Sequence, residues 1–454
     1  MNLFFVFIIL LELSLQRHIV LDLYKDNEQL NQIKNYQMIK DEEIMQILFY
    51  NDVYTLINVG KPKKELKFYL TFGSNKTIIN SKEYSTSRSL TYKINNNTNI
   101  SIDYFEFNER NQNKINGDYS FILLDINENN KINDNKCIIG LNPIDIKNSK
   151  FNTNTNFLFQ LQKFGFINKR VFSIIIDDIM IYENNFKKEK LLIGSLPDEI
   201  NLEMYSKNEI KWTNLSNYNN NIENQKWELY INSFAYNDYR NNNKNSTHIE
   251  FIFENNLIIA PEYFRLIILN DFLNQLISDN ICKEDYFYNE REQKPYLYYI
   301  CQEYKNFSNK AIYFKNKDLN ETFEINLGEL FYRYNQKFYF GIVFKADKNN
   351  ENKKENIWKM GKIFYEKYSF VFDDENKSIG YYRIEKEDDK SYIIFICFSL
   401  FLIFVIILTI ISNKVNKPKE KRVNNNKDDI SSKKENENNA LIEKINKNTK
   451  EKIE

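Results

Sequence analysis

Histidine is almost missing from this chain: His18 and His248 are the only two among 454 residues. They stand in unrelated contexts, so a Ser-His-Asp arrangement has little to be built from. The patterns C-x-x-C, H-E-x-x-H, P-loop and G-x-G-x-x-G are absent too, and no metal or other cofactor is expected. Net charge is lacking as well. Lys+Arg and Asp+Glu stand at 62 each, so no global field recruits nucleic acid. The many aromatics are not interleaved with basic residues as a base-stacking platform would require. Glycine (10) and proline (6) are scarce, while Asn, Lys, Ile, Tyr and Phe abound, the composition of an AT-rich coding sequence. Asn runs such as "RNNNKN" and "YNNNIEN" then read as solvated loop insertions.

What is present begins with length: 454 residues suffice for one large or two mid-sized domains with a real core. Two apolar segments indicate the compartment. "MNLFFVFIILLELSLQ", residues 1–16, reads as an export signal. "YIIFICFSLFLIFVIILTII", Tyr392 to Ile411, carries no charge and is long enough to cross ~30 Å of hydrocarbon. Lys414, Lys417, Lys419, Lys421 and Arg422 follow it against Glu420 alone, which places residues 412–454 on the cytoplasmic side as a polar, disordered tail. The expected layout is a single-pass type I membrane protein of the secretory pathway or cell surface, with the bulk of the chain lumenal or extracellular.

Of four cysteines, Cys397 falls in that apolar span. Cys282 and Cys301, with eighteen residues between them, are expected to pair in an exported region, a bridge worth ~3 kcal/mol. Cys137 is left as a small buried hydrophobe. Asn75, Asn96, Asn99, Asn214, Asn245, Asn306, Asn320 and Asn376 begin glycosylation sequons, a number near chance in so Asn-rich a chain.

Between the apolar segments the pattern is β. Short runs such as "YTLINVG", "LKFYLTFG", "RVFSIIIDDIMIY" and "KFYFGIVFK" alternate with polar clusters. Two stretches, "TNFLFQLQKFGFI" and "APEYFRLIILNDFLNQLI", show helical spacing.

In order, these pieces resemble the pepsin-like (family A1) aspartic proteases over roughly residues 19–386. "YTLINVGKPKKELKFYLTFGS" resembles the opening hairpin and first active-site turn. "YSTSRSLTY" is similar to the Ser-rich element after it. "CIIGLNP" is similar to a hydrophobic-hydrophobic-Gly segment ending at Gly140, and "WKMGKIFYEKYSFVFDDENKSIGYY" to the second such segment, at Gly361, with the C-terminal signature. The resemblance implies a mainly β, bilobal fold with a cleft between the lobes. An N-terminal lobe would span 19–205 and a C-terminal lobe 206–386, followed by one transmembrane helix at 392–411.

It also implies where chemistry belongs. Such enzymes hold two carboxylates close together, one acting as base toward a water and the other as acid toward the carbonyl. Each comes from a D-T-G or D-S-G turn. Here "LTFGS" puts Thr71 at the first aspartate and Phe72 at the hydroxyl residue, with Gly73 and Ser74 retained. Counting back from Pro261 puts Ile252 at the second aspartate, Phe253 at its hydroxyl residue and Glu254 at its glycine. Neither threonine nor isoleucine ionises near neutral pH, so the dyad is degenerate. Tyr104 falls at the flap tyrosine, with Phe105 in place of a flap glycine. Glu250 and Glu254 flank position 252, and their carboxylates are expected to lie about 6–7 Å displaced along a strand. The expected activity is therefore non-catalytic: a pseudoprotease whose cleft, around Gly73, Ser74, Tyr104 and Phe253, holds a peptide or protein ligand. An active endopeptidase using a displaced acid or another register is the alternative. A third reading has Phe72, Phe253 and Phe105 filling a collapsed cleft in a display protein.

Overall fold

The computed structural model describes residues 18–25 and 40–382, apart from 96–99, 109–113, 125–135, 145–152, 178–187, 201–209, 216–224, 237–238, 242–246, 303–309 and 347–355. The expected signal at 1–16, apolar span at 392–411 and tail at 412–454 lie outside these residues. Among the described residues no helix is long and apolar enough to cross a membrane.

The chain is mainly β, in four sheets. The strand Val53–Val59 alternates buried and half-buried side chains along its whole length, the period-two signature of a sheet with one face on a core. It forms a hairpin with Lys64–Thr71 and also pairs with Ile100–Asn108, so the eight-stranded sheet of the first half curls back on itself. A nine-stranded sheet built from residues 228–360 forms the second half, beside a four-stranded sheet drawn from residues 233–326. A six-stranded sheet mixes the two: Ile19–Asp22, Lys188–Ile193 and Val171–Asp177 run into Ser369–Asp373, Ser378–Tyr382 and Lys211–Asn214.

The same crossing occurs twice. Lys64–Thr71 pairs parallel to Cys137–Gly140, which pairs antiparallel to Thr77–Asn80 on its other side. In the second half Thr247–Phe251 pairs parallel to Ile357–Met360, which pairs antiparallel to Ile258–Ala260. In each case a strand far along the chain threads between two strands joined by a short turn. The threading demands glycine. A Cβ on Gly140 would lie 2.4 Å from the Ser74 carbonyl oxygen, and one on Gly361 would lie 2.3 Å from that of Leu257. Only a residue without a side chain lets the backbones approach so closely.

A single large apolar cluster runs through both halves, from Ile19 and Phe68 to Trp358 and Phe372. Cys282 and Cys301 face each other across the hairpin Cys282–Asn289/Lys294–Cys301 and are disulfide-bonded. Cys137 is free and buried, and burial pushes its thiol up to about 11.

Candidate functional site: two turns and one carboxyl

The parallel pairing ends at corresponding places. Thr71 stands opposite Gly140, and the Leu141 N–H donates to the Thr71 carbonyl at 2.8 Å. Phe251 stands opposite Met360, and the Ile252 N–H donates to the Met360 carbonyl at 3.0 Å. Beyond these points the chain bends into turns, and successive side chains still fall on opposite sides. Phe72 and Phe253 are 5% and 0% exposed and point into the core, while Thr71, Gly73, Ile252 and Glu254 face the other way. The two phenylalanine rings meet at 5.7 Å. Phe72 also contacts Phe372 at 5.2 Å, and Phe253 stacks on Tyr365. Where the family resemblance implies hydroxyl residues steadying the turns, an apolar contact joins them.

Above these rings lies a cavity of about 490 Å³, within the range of ligand sites. Its floor is Thr71, Gly73, Ile252 and Glu254. The Thr71 hydroxyl donates to Glu254 Oε1, and the Gly73 N–H reaches that oxygen at 2.9 Å and Thr71 Oγ1 at 2.8 Å. Burial pushes the Glu254 carboxyl above the usual range, backbone N–H groups of the turns partly oppose this, and the Glu250 charge adds to it. The expected displacement of Glu254 along its strand is thus corrected. The side chain, one methylene longer than aspartate, spans the gap and sets its carboxyl against Thr71. The partners of Glu254 Oε1 among the described residues are thus a hydroxyl and a backbone N–H.

The walls are ion-paired. Arg291 forks onto Asp52 with two bonds of 2.9 Å, Lys136 reaches Asp52 at 2.9 Å, and Lys226 holds Glu250 at 2.7 Å. Burial works to raise the Asp52 carboxyl, but the Arg291 fork and the Lys136 charge outweigh it and hold the group below the usual range. Arg291 lies over the Tyr50 ring at 3.9 Å and Lys136 over Tyr69 at 4.4 Å. Glu228 stands directly across the sheet from Glu250 and is 4% exposed. Burial, with the Glu250 charge second, pushes it up to about 7.

One contribution escaped the sequence reading. Tyr50, Asn51, Asp52 and Val53 form part of the wall, delivered by the helix Asp41–Phe49. Ile44, Met45 and Phe49 of that helix pack on Phe287, Tyr296, Tyr298 and Tyr339 of the second half. Asp41 anchors its start, accepting from Lys337 and the Tyr339 hydroxyl at 2.8 Å and from Lys283 at 3.0 Å. The signal was legible: "DEEIMQILF" has three acids in its first turn and apolar residues at helical spacing.

Of the residues that the sequence puts forward, Thr71, Gly73 and Ile252 come together on the floor. Ser74, Tyr104 and Phe253 are not among the lining residues. Ser74 supplies the backbone that crosses Gly140, and Phe253 lies beneath the floor. Tyr104 sits in the hairpin Ile100–Asn108/Lys114–Leu124, its ring under the Lys61 ammonium at 4.2 Å. Phe105 packs on Phe68, Tyr119 and Phe121 inside the first half, away from the cavity. Among the described residues, no three His, Cys, Asp or Glu are grouped to hold a metal. No protein-family model matches the chain, and no curated protein matches it.

Proposed function

We propose that this chain is a membrane-anchored, type I relative of the pepsin-like aspartic proteases that has kept a bilobal scaffold and lost the paired acids, and that its inter-lobe groove binds a peptide or protein segment without cleaving it. The observation that carries this reading is the repeated crossing at Gly140 and Gly361, whose two turn tips present Thr71 and Ile252. An aspartic mechanism needs one carboxylate to take a proton from water while the other gives one to the carbonyl. A threonine hydroxyl and an isoleucine can do neither. Because the Phe72 and Phe253 rings pack below the floor, they leave the space above it open, which favours binding over a collapsed cleft.

A specific contact favours one second reading. Glu254, hydrogen-bonded to Thr71, could serve as a lone base in a residual endopeptidase. Two measurements separate the readings. Calorimetric titration of a peptide library tests groove binding, and absence of binding at high micromolar concentration rejects it. A peptidase assay at acid pH with a transition-state-mimicking inhibitor tests the enzyme, and inhibitor-sensitive cleavage that disappears in Glu254→Gln establishes it.

A further inference from the structure

We infer that the cavity takes its ligand through a basic group, a lysine- or arginine-type cation seated against the Glu254 carboxyl between Thr71 and Gly73. This rests on the groove-binding reading above and adds the chemistry that the groove prefers.

The lining carries charges of both signs, but they are not equally matched. Asp52 faces Arg291 and Lys136, and Glu250 faces Lys226. Glu292 receives the Tyr296 hydroxyl at 2.6 Å. The bases Arg291 and Lys136 are engaged on Asp52 and on tyrosine faces and Lys226 on Glu250, while Lys359 stands on the neighbouring strand in register with Glu250. What meets Glu254 among the described residues is uncharged, the Thr71 hydroxyl and the Gly73 N–H. A carboxyl withdrawn from water without a counter-charge gains more from an incoming cation than one already paired. Burial first, with the Glu250 charge, holds its pKa above the usual range, so an incoming cation also draws the carboxyl into its charged form. An anionic group at the floor would instead meet the Glu254 carboxyl, with the Glu250 charge close enough to act on the same place. The surrounding surface suits the stem of a long basic side chain, since Leu70, Phe251 and Ile252 border the same space.

The test uses three blocked tripeptides of one frame, acetyl-Phe-Xaa-Phe-amide with lysine, norleucine or glutamate at the centre. Each is titrated calorimetrically at about pH 6.5 and low salt into the intact chain and into Glu254→Gln. Glutamine keeps an oxygen able to accept from Thr71 and Gly73 while removing the charge, and a thermal melt checks that the variant folds. The expected order is lysine about tenfold tighter than norleucine, with glutamate weakest, and the lysine advantage vanishes in Glu254→Gln. Glu254→Asp keeps the charge but withdraws it by one methylene, and narrows the advantage to a few-fold. Equal binding of the lysine and norleucine peptides overturns this inference and leaves the groove reading standing. Failure of all three to bind overturns both. A lysine advantage that persists undiminished in either variant places the cation elsewhere and also overturns it.

Discussion

The two crossings share a backbone plan and differ in what their turns present. The first reads Thr71-Phe72-Gly73 and the second Ile252-Phe253-Glu254. The middle residue is the same, buried and in contact with its counterpart, while the outer residues differ in size, polarity and charge. The threading glycines, Gly140 and Gly361, are the same as well. Positions whose environment is set by close-packed backbone or by the core are alike in both halves, and positions that face the cavity are not. The packing requirements of the core and of the crossing backbones do not reach the side chains that face the cavity.

The largest effect is expected from a side chain added at a threading glycine. Gly361→Val is expected to prevent folding, since even a Cβ would sit 2.3 Å from a backbone oxygen that has nowhere to move. Gly140→Val should do the same, and a soluble, cooperatively melting product from either variant would show that the crossing tolerates slack. Phe253→Ala should come next. Emptying a fully buried ring between Phe72 and Tyr365 is expected to cost ~3–5 kcal/mol in chemical denaturation, and a loss below ~1 kcal/mol would mean the turns are not held together from beneath. Removing the disulfide with paired Cys282→Ser and Cys301→Ser substitutions is confined to the second half and should cost ~3 kcal/mol, read as a lowered denaturation midpoint that reduction of the wild type reproduces.

The last effect is a pH dependence. The folded-state pKa of Glu228, about 7, lies above its ordinary value of 4.5. The folded protein therefore holds this proton more tightly than the unfolded chain does. That contribution is complete below about pH 4.5 and is lost as pH rises through about 7, with a slope of at most about 1.4 kcal/mol per pH unit. Glu228→Gln should flatten the decline between pH 5 and 7 in a series of denaturation curves. An unchanged slope would assign it to other groups, Glu254 first among them. Asp52 acts in the opposite sense, its contribution being lost on acidification below the ordinary aspartate range.

Much of the β pattern was legible beforehand because a half-buried strand writes its period into the chain, as Val53–Val59 and Lys64–Thr71 do. So was the pairing of Cys282 with Cys301. Strand spacing does not place the Glu254 carboxyl, because it counts backbone steps and not how far a flexible side chain reaches. Phe253 lies beneath the floor and not in the cleft, since counting along a turn does not say which side of it faces the core. The wall residues Tyr50 to Asp52 were missed for a different reason: their partners, Arg291 and Asn289, lie some two hundred and forty residues away.

By itself, the amino-acid sequence determined the β character of the chain, the positions of its threading glycines, the disulfide and the absence of an acid at Thr71 and Ile252, because each is written in local spacing or residue identity. Only the tertiary structure decided that Glu254 meets Thr71, that Phe72 touches Phe253 and that the helix Asp41–Phe49 helps wall the cavity. Those contacts join segments far apart in the chain, and their geometry follows from how the two halves close on a common core, which no local pattern encodes.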